Sequence, residues 1–140
     1  MKTILVEFPI YTFHVDYSGH VGNQVYIEWM EITRLKLLEA TGLSVFQMAE
    51  TRGVLPVLTD TQISYKKALY FGDTARAEAW ISELKATSAW VEYRFFNGAG
   101  ELVASGRQRG TYLRRDTMRP YRFSEEERAL FLPFLAEDSR

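Results

Sequence analysis

Residues 24–40 constrain the fold more than any other part of the chain, because their apolar side chains recur on more than one face of a helix. Tyr26, Ile27, Trp29, Met30, Ile32, Leu35, Leu37 and Leu38 cannot all point at one surface, so the pattern predicts a helix surrounded on most sides. Thr41-Gly42 supplies its stop. Such a helix needs other elements to enclose it, and the rest of the chain offers strands. Residues 3–15 are rich in aromatic and β-branched types and read as an extended strand, with His14 inside it and Pro9 marking an edge or a bulge. A short helical stretch at 44–52 is followed by strand-like runs at 54–70, 74–85, 88–96 and 101–114. Phe71-Gly72-Asp73 and Asn97-Gly98-Ala99-Gly100 read as hairpin turns, and Val91, Tyr93 and Phe95 alternate with Glu92 and Arg94 as in a half-buried antiparallel strand. One long helix and about five antiparallel strands predict an α+β domain whose sheet wraps the helix.

With 140 residues and 46% hydrophobic content, the chain fits a single domain spanning 1–140, without internal repeats. The formal charge of −1 argues against a global basic field, so nucleic acid is not an expected partner, although arginine gathers in the last third. The absence of cysteine excludes disulfides, thiolate metal sites and a cysteine nucleophile together. Glu7 and Pro9 interrupt the apolar N-terminal run, and no stretch approaches the ~18 apolar residues of a membrane span; a soluble cytoplasmic protein is the expectation. Residues 120–140 read as a polar tail with a short amphipathic stretch, in which Ser124 and Glu127 have the spacing of a capping box.

The residues able to do chemistry cluster between strand and helix. Asp16 stands at that junction, where a carboxylate is either a turn or capping residue or, if partly desolvated and raised in pKa, a nucleophile or general base beside the unpaired N–H groups of the helix start. His20 lies in the same connection and can orient backbone or bind substrate. Asn23 is a natural N-cap. Glu31, about two turns along the helix, is either the ion-pair partner of Arg34 at i+3 or a second reacting acid. Two histidines without a carboxylate cluster predict no metal site, and no G-x-S-x-G elbow supports Ser18, which has no obvious base beside it. Nucleotide-cofactor glycine motifs are absent as well. Lys66, Lys67, Arg107, Arg109, Arg114, Arg115 and Arg119 are either a solvated strand face or partners for the phosphates of a coenzyme or carrier.

The stretch D-Y-S-G-H-V-G-N-Q-V-Y-I-E-W-M-E-I-T-R at 16–34 resembles the signature D-x-x-G-H-V-x-N-x-x-Y-x-x-W-x-E-x-x-R of hotdog-fold acyl-CoA thioesterases of the 4-hydroxybenzoyl-CoA thioesterase-like group, matching at Asp16, Gly19, His20, Val21, Asn23, Tyr26, Trp29, Glu31 and Arg34. Ile63-Ser64-Tyr65 with Gly72-Asp73, and Leu102-Val103-Ala104-Ser105-Gly106, resemble later strands of the family, so the resemblance spans about 3–120 and leaves the tail unassigned. It implies a hotdog fold, a five-stranded antiparallel sheet around a long central helix, assembled as a homodimer or homotetramer with sites at the subunit interface. It implies hydrolysis of an acyl-CoA thioester with Asp16 as catalytic carboxylate, the backbone N–H near Asn23 holding the carbonyl, His20 organising the connection and Glu31 as the second choice of acid. Gly19, Val21, Tyr26, Lys67 and Arg107 are the expected substrate contacts, and CoA enters as part of the substrate rather than as a cofactor. An acyl-carrier-protein thioester is the alternative donor, and a non-catalytic acyl-binding subunit the alternative role. Tyr11, Phe13, Tyr26, Trp29, Phe46, Trp80 and Trp90 are aromatic residues that either line an acyl pocket or serve the core.

Overall fold

The computed structural model describes residues 1–137. Its elements are β1 (Ile4–Pro9), α1 (Asn23–Ala40), α2 (Val45–Arg52), β2 (Val54–Tyr65), β3 (Thr74–Leu84), β4 (Ser88–Phe96), β5 (Leu102–Arg114) and α3 (Glu125–Phe131), with single 3-10 turns at Thr12–His14 and Leu132–Phe134. The five strands form one antiparallel sheet in the order β1-β3-β4-β5-β2. No helix among the described residues is long and apolar enough to cross a membrane.

Several boundaries move from those expected, each for a physical reason. The first strand stops at Pro9, which lacks the N–H needed to extend the ladder, and His14 sits in the following 3-10 turn rather than in a strand. The second strand ends at Tyr65, because the N–H groups of Lys66 and Lys67 both turn onto the Val103 carbonyl (2.7 and 3.0 Å). Asn97–Gly100 closes the β4–β5 hairpin as expected, with the Asn97 carboxamide oxygen accepting from Ala99 N and Glu101 N. Phe71–Asp73 does not close a hairpin: β2 and β3 lie on opposite sides of the sheet, and the segment belongs to the crossover between them.

Helix α1 runs 18 residues, about 27 Å, and packs against β1 and β3. It is not surrounded. Val25, Tyr26, Trp29, Met30, Thr33, Leu37 and Leu38 are buried, whereas Ile27, Ile32 and Leu35 face outward with Glu28 and Glu31. Close approach of α1 to the sheet requires Gly106, since a Cβ there would stand 3.0 Å from Met30 Cε and 2.8 Å from the Gln62 carbonyl oxygen. Under the middle of the helix lies one buried polar side chain, Gln108. Its Oε1 accepts from Arg34 Nη1 (2.6 Å) and from the Tyr93 hydroxyl (2.9 Å), while its Nε2 donates to Thr61 Oγ1 (3.3 Å).

Residues 121–135 contribute to the core rather than forming a polar tail; the last three positions of that expected tail lie outside the described residues. Phe123, Phe131, Phe134 and Leu135 are buried, and Phe123 packs against Tyr112 and Phe131 with ring centroids 4.8 and 5.3 Å apart. Ala136 N donates to the Ile81 carbonyl (2.9 Å), which ties the chain to the middle of β3. The capping box forms as its spacing predicted, with Glu127 N donating to Ser124 Oγ (3.1 Å) and Ser124 N to Glu127 Oε1 (2.8 Å). Glu127 does more than cap: it is 1% exposed, accepts from the Tyr121 hydroxyl (2.8 Å) and pairs with Arg52 Nε of α2 at 2.9 Å. Glu127 is the buried member of the pair and the Arg52 side chain is 35% exposed, so removing Glu127 leaves the Tyr121 hydroxyl and Ser124 N without their acceptor while Arg52 turns to water. Glu127→Ala is therefore expected to cost about 2 kcal/mol through the lost cap and hydrogen bonds, read as a lower urea midpoint at unchanged slope; an unshifted midpoint would show that the aromatic contacts alone hold the segment.

Candidate active site

Between the first 3-10 turn and α1 the chain makes a tight loop that Asp16 organises. Gly19 N donates to the Asp16 carbonyl (3.0 Å) and Asp16 N to the His20 carbonyl (2.8 Å), with Gly19 at φ +83°, a conformation that glycine adopts without strain. The Asp16 side chain closes the same loop: its Oδ1 accepts from Ser18 Oγ (2.5 Å), Ser18 N (2.9 Å) and His20 N (3.3 Å). All three bonds go to one oxygen, and Oδ2 accepts none from the described residues. The hydrogen bond from the Ser18 hydroxyl holds the carboxyl below its ordinary pKa; desolvation opposes it, and the Ser18 and His20 amides and the nearby His20 add to the lowering. This reverses the expectation of a raised value, because the group is exposed rather than enclosed. Ser18, expected to have no base beside it, donates directly to a carboxylate.

The helix start stands next to this loop. The N-cap is Gly22 in extended conformation, not Asn23, which is the first helical residue. The preceding amides are occupied, Val21 N by the Leu69 carbonyl (2.9 Å) and Gly22 N by the His14 carbonyl (3.0 Å). The Asn23 N–H is the first that no acceptor among the described residues claims, and it lies at the positive end of the helix dipole. Asp16, His20, Val21, Asn23 and Tyr26 line one open cleft, completed by Tyr65 at the end of β2 and by Lys66, Lys67 and Ala68 just beyond it. Burial, and to a lesser extent neighbouring Tyr65, pushes the Tyr26 hydroxyl up to about 12, so it stays protonated at neutral pH. The Tyr65 hydroxyl donates to the Asn23 carbonyl (3.3 Å), binding the β2 end to the helix start, and the His20 ring stands edge-on to Tyr70 at 4.8 Å.

Not every expected site residue is gathered here. Gly19 shapes the loop without lining the cleft. Glu31 is eight residues beyond Asn23, about 12 Å along the helix, with its side chain 64% exposed and paired to Arg34 at 3.3 Å. Lys67 lines the cleft but is ion-paired with Glu101, whose carboxyl it lowers in pKa. Arg107 lies on the outer face of the sheet, paired with Glu92. Of the seven aromatic residues considered for an acyl pocket only Tyr26 lines the cleft; Trp29 is buried against Phe8, Tyr11, Phe13 and Phe46 are exposed, and Trp80 and Trp90 take part in the arginine layer of the outer face. Tyr65 and Ala68 join the site without having been singled out for it. Only the matching Ile63-Ser64-Tyr65 segment carried that signal. A separate apolar cavity under the second half of α1, lined among others by Leu38, Ile81, Val91 and Phe131, shares no residue with the cleft.

Residues 12–135 match the sequence profile of the thioesterase-like superfamily. The chain is 31% identical over 117 residues, 84% of either chain, to the Bacillus subtilis (strain 168) protein named "Putative acyl-CoA thioesterase YneP". Its backbone superposes on a DHNA-CoA thioesterase from Staphylococcus aureus with TM-score 0.86 and 23% identity, covering 95% of this chain and 91% of that one. It also superposes on SAV2348 from Staphylococcus aureus, solved in complex with CoA, with TM-score 0.88 and 14% identity over 95% and 84% of the two chains. The architecture is thus the hotdog fold, with α1 against its five-stranded sheet. The profile match extends past residue 120, so the docked C-terminal segment is part of the family domain. The chain belongs to the thioesterase-like superfamily.

Proposed function

We propose that this chain hydrolyses an acyl-CoA thioester to a carboxylic acid and free CoA, with Asp16 as the reacting carboxylate. One observation carries the reading: Asp16 and Asn23 line the same cleft, and each keeps one group unclaimed, an acceptor oxygen on the first and a helix-terminal N–H on the second. The kinship with a protein named as an acyl-CoA thioesterase supports the substrate class. In this scheme the thioester carbonyl oxygen takes the Asn23 N–H, which strengthens as negative charge builds on it. Asp16 Oδ2 attacks the carbonyl carbon, the C–S bond breaks, and the CoA thiolate leaves and takes a proton from solvent. Water from the open cleft then splits the mixed anhydride, releasing the acid and restoring Asp16. A carboxyl held low in pKa is a poor proton acceptor but is ionised throughout the neutral range, which favours attack over general-base catalysis. Ser18 and His20 position the carboxylate through Oδ1 and leave Oδ2 to react.

Assembly with a second copy belongs to the same proposal. Supporting it are the unpaired edge of β2, where Val57 and Leu58 are exposed, and the outward Ile27, Ile32 and Leu35 of α1. Glu31 shares that helix face, so a part for it in catalysis would be played across such an interface.

The chain has no cysteine, so a thiol reagent reads released CoA alone. With a panel of acyl-CoAs, Asp16→Asn is expected to lower kcat by about a hundredfold or more; a folded Asp16→Asn protein with undiminished turnover would remove Asp16 from the reaction. Ser18→Ala tests the pKa argument. Because the Ser18 hydroxyl depresses the Asp16 pKa, its loss should move the acid limb of kcat/KM to higher pH, toward the ordinary carboxylate value, with the plateau at neutral pH retained. The same sign governs stability: the part contributed by ionised Asp16 is present above its unfolded pKa and fades as pH falls through the lower folded value. An acid limb in the same place in both proteins would assign it to another group.

A further inference from the structure

The Asp16 cleft has a second cavity next to it, on the outer face of the sheet, and Lys66 lines both. This outer trough, open to solvent, crosses β2, β5, β4 and β3. Its path follows from register. Ser64 pairs with Ser105 and Ser105 with Arg94, so Arg94 stands two strand spacings, about 10 Å, from Ser64 near Lys66. In the adjacent row Gln62 pairs with Arg107, Arg107 with Glu92 and Glu92 with Trp80. The small hydroxyl side chains of Ser64 and Ser105 leave the depression between the cationic ends.

The charges in it are unbalanced. Lys66, Arg94 and Arg107 share the trough with one carboxylate, Glu92, whose Oε2 accepts from Ser82 Oγ (2.6 Å) and Arg107 Nε (3.2 Å), while Glu78, opposite Arg94 in the register, does not line it. Lys66 and Arg94 are exposed and form no ion pair among the described residues. The Arg94 guanidinium lies over the Trp80 ring at 5.0 Å and that of Arg107 over Trp90 at 3.9 Å. An aromatic platform restrains an arginine while leaving its N–H edge available to phosphate. Lys67 is less suited to that task, being occupied by Glu101.

A CoA thioester reacting at Asp16 carries a long neutral arm ending in a nucleotide with three phosphate groups. From these juxtapositions we infer that the outer trough binds this adenosine 3′-phosphate 5′-diphosphate end. Lys66 marks where the arm leaves the cleft, and Arg94 and Arg107 receive phosphates. The inference rests on the thioesterase reading for its ligand. It goes beyond that reading in assigning the nucleotide to the outer sheet face, and in naming Arg94, which no motif singled out.

The experiment compares one acyl group carried on CoA with the same group on pantetheine, which lacks the nucleotide. Wild type is expected to prefer the CoA thioester, and Arg94→Ala to reduce the ratio of the two kcat/KM values about tenfold through KM. Arg76→Ala removes an outward arginine that does not line the trough, and should leave the ratio unchanged. Adenosine 3′,5′-bisphosphate should compete with acyl-CoA in wild type and more weakly in Arg94→Ala. Equal use of the two thioesters by wild type, or a ratio unmoved by Arg94→Ala, would overturn the assignment while leaving the thioesterase reading in place. If neither thioester turned over, direct titration with adenosine 3′,5′-bisphosphate would still judge the trough: binding weakened by Arg94→Ala supports it, and no binding to wild type overturns it.

Discussion

The geometry of the site depends on how deeply, and in which register, α1 sits on the sheet, and Gln108 sets that seat. Its carboxamide engages α1 through Arg34, β4 through Tyr93 and β2 through Thr61 from its own place on β5. A buried amide is tolerable only when its donors and acceptors are met, so this arrangement selects one helix position where an apolar side chain would accept several. Gly106, two residues earlier on the same strand, admits Met30 and sets the depth. With depth and register established, the helix N-terminus arrives beside the end of β2, where the Tyr65 hydroxyl meets the Asn23 carbonyl.

In the proposed reaction Asp16 would hold a structural and a chemical role at once, and the two need not compete. The geometry of the loop is carried by Oδ1 and the backbone, and the other oxygen is left over. An asparagine could keep the loop bonds through its carbonyl oxygen and lose only the negative charge. The depressed pKa is a consequence of the structural role itself, since the donors that close the loop also stabilise the ionised form. The carboxylate is thus kept charged by the same contacts that hold it in place.

Local signals were legible in the sequence, and signals that depend on a distant partner were not. The Glu31–Arg34 pair, the Ser124–Glu127 box and the Asn97–Gly100 turn all arise between residues a few positions apart, and the structure has each of them. Ile27, Ile32 and Leu35 carry the same hydropathy as the buried Trp29 and Leu37, so periodicity could not tell a helix buried on one face from an enclosed one. Gly72 marks a turn whichever strand follows, and only the sheet order shows it to be a crossover. Charged neighbours hid the core role of Phe123, Phe131 and Phe134. Of the candidate cleft, Asp16 and Asn23 were named from their motif and the structure brings them together, whereas the ion pair that occupies Lys67 depends on where Glu101 lies.

The strand order also bears on how this molecule comes together. β3, β4 and β5 are consecutive in the chain and neighbours in the sheet, so their pairing closes only short loops. Both edges are remote additions, with Ile4 opposite Ala79 and Val54 opposite Arg114. Long loops cost more entropy to close, so the central meander is expected to form first and the edges to join it late. The Asp16 loop and α1 follow one edge strand, and Tyr65 and Lys66 end the other. Amide exchange pulsed during refolding should consequently find the meander protected before the two flanks of the cleft, and protection arriving together in all five strands would contradict this order of assembly. Flanks that open more readily than the centre would let a bulky substrate enter and leave without disturbing the sheet behind them.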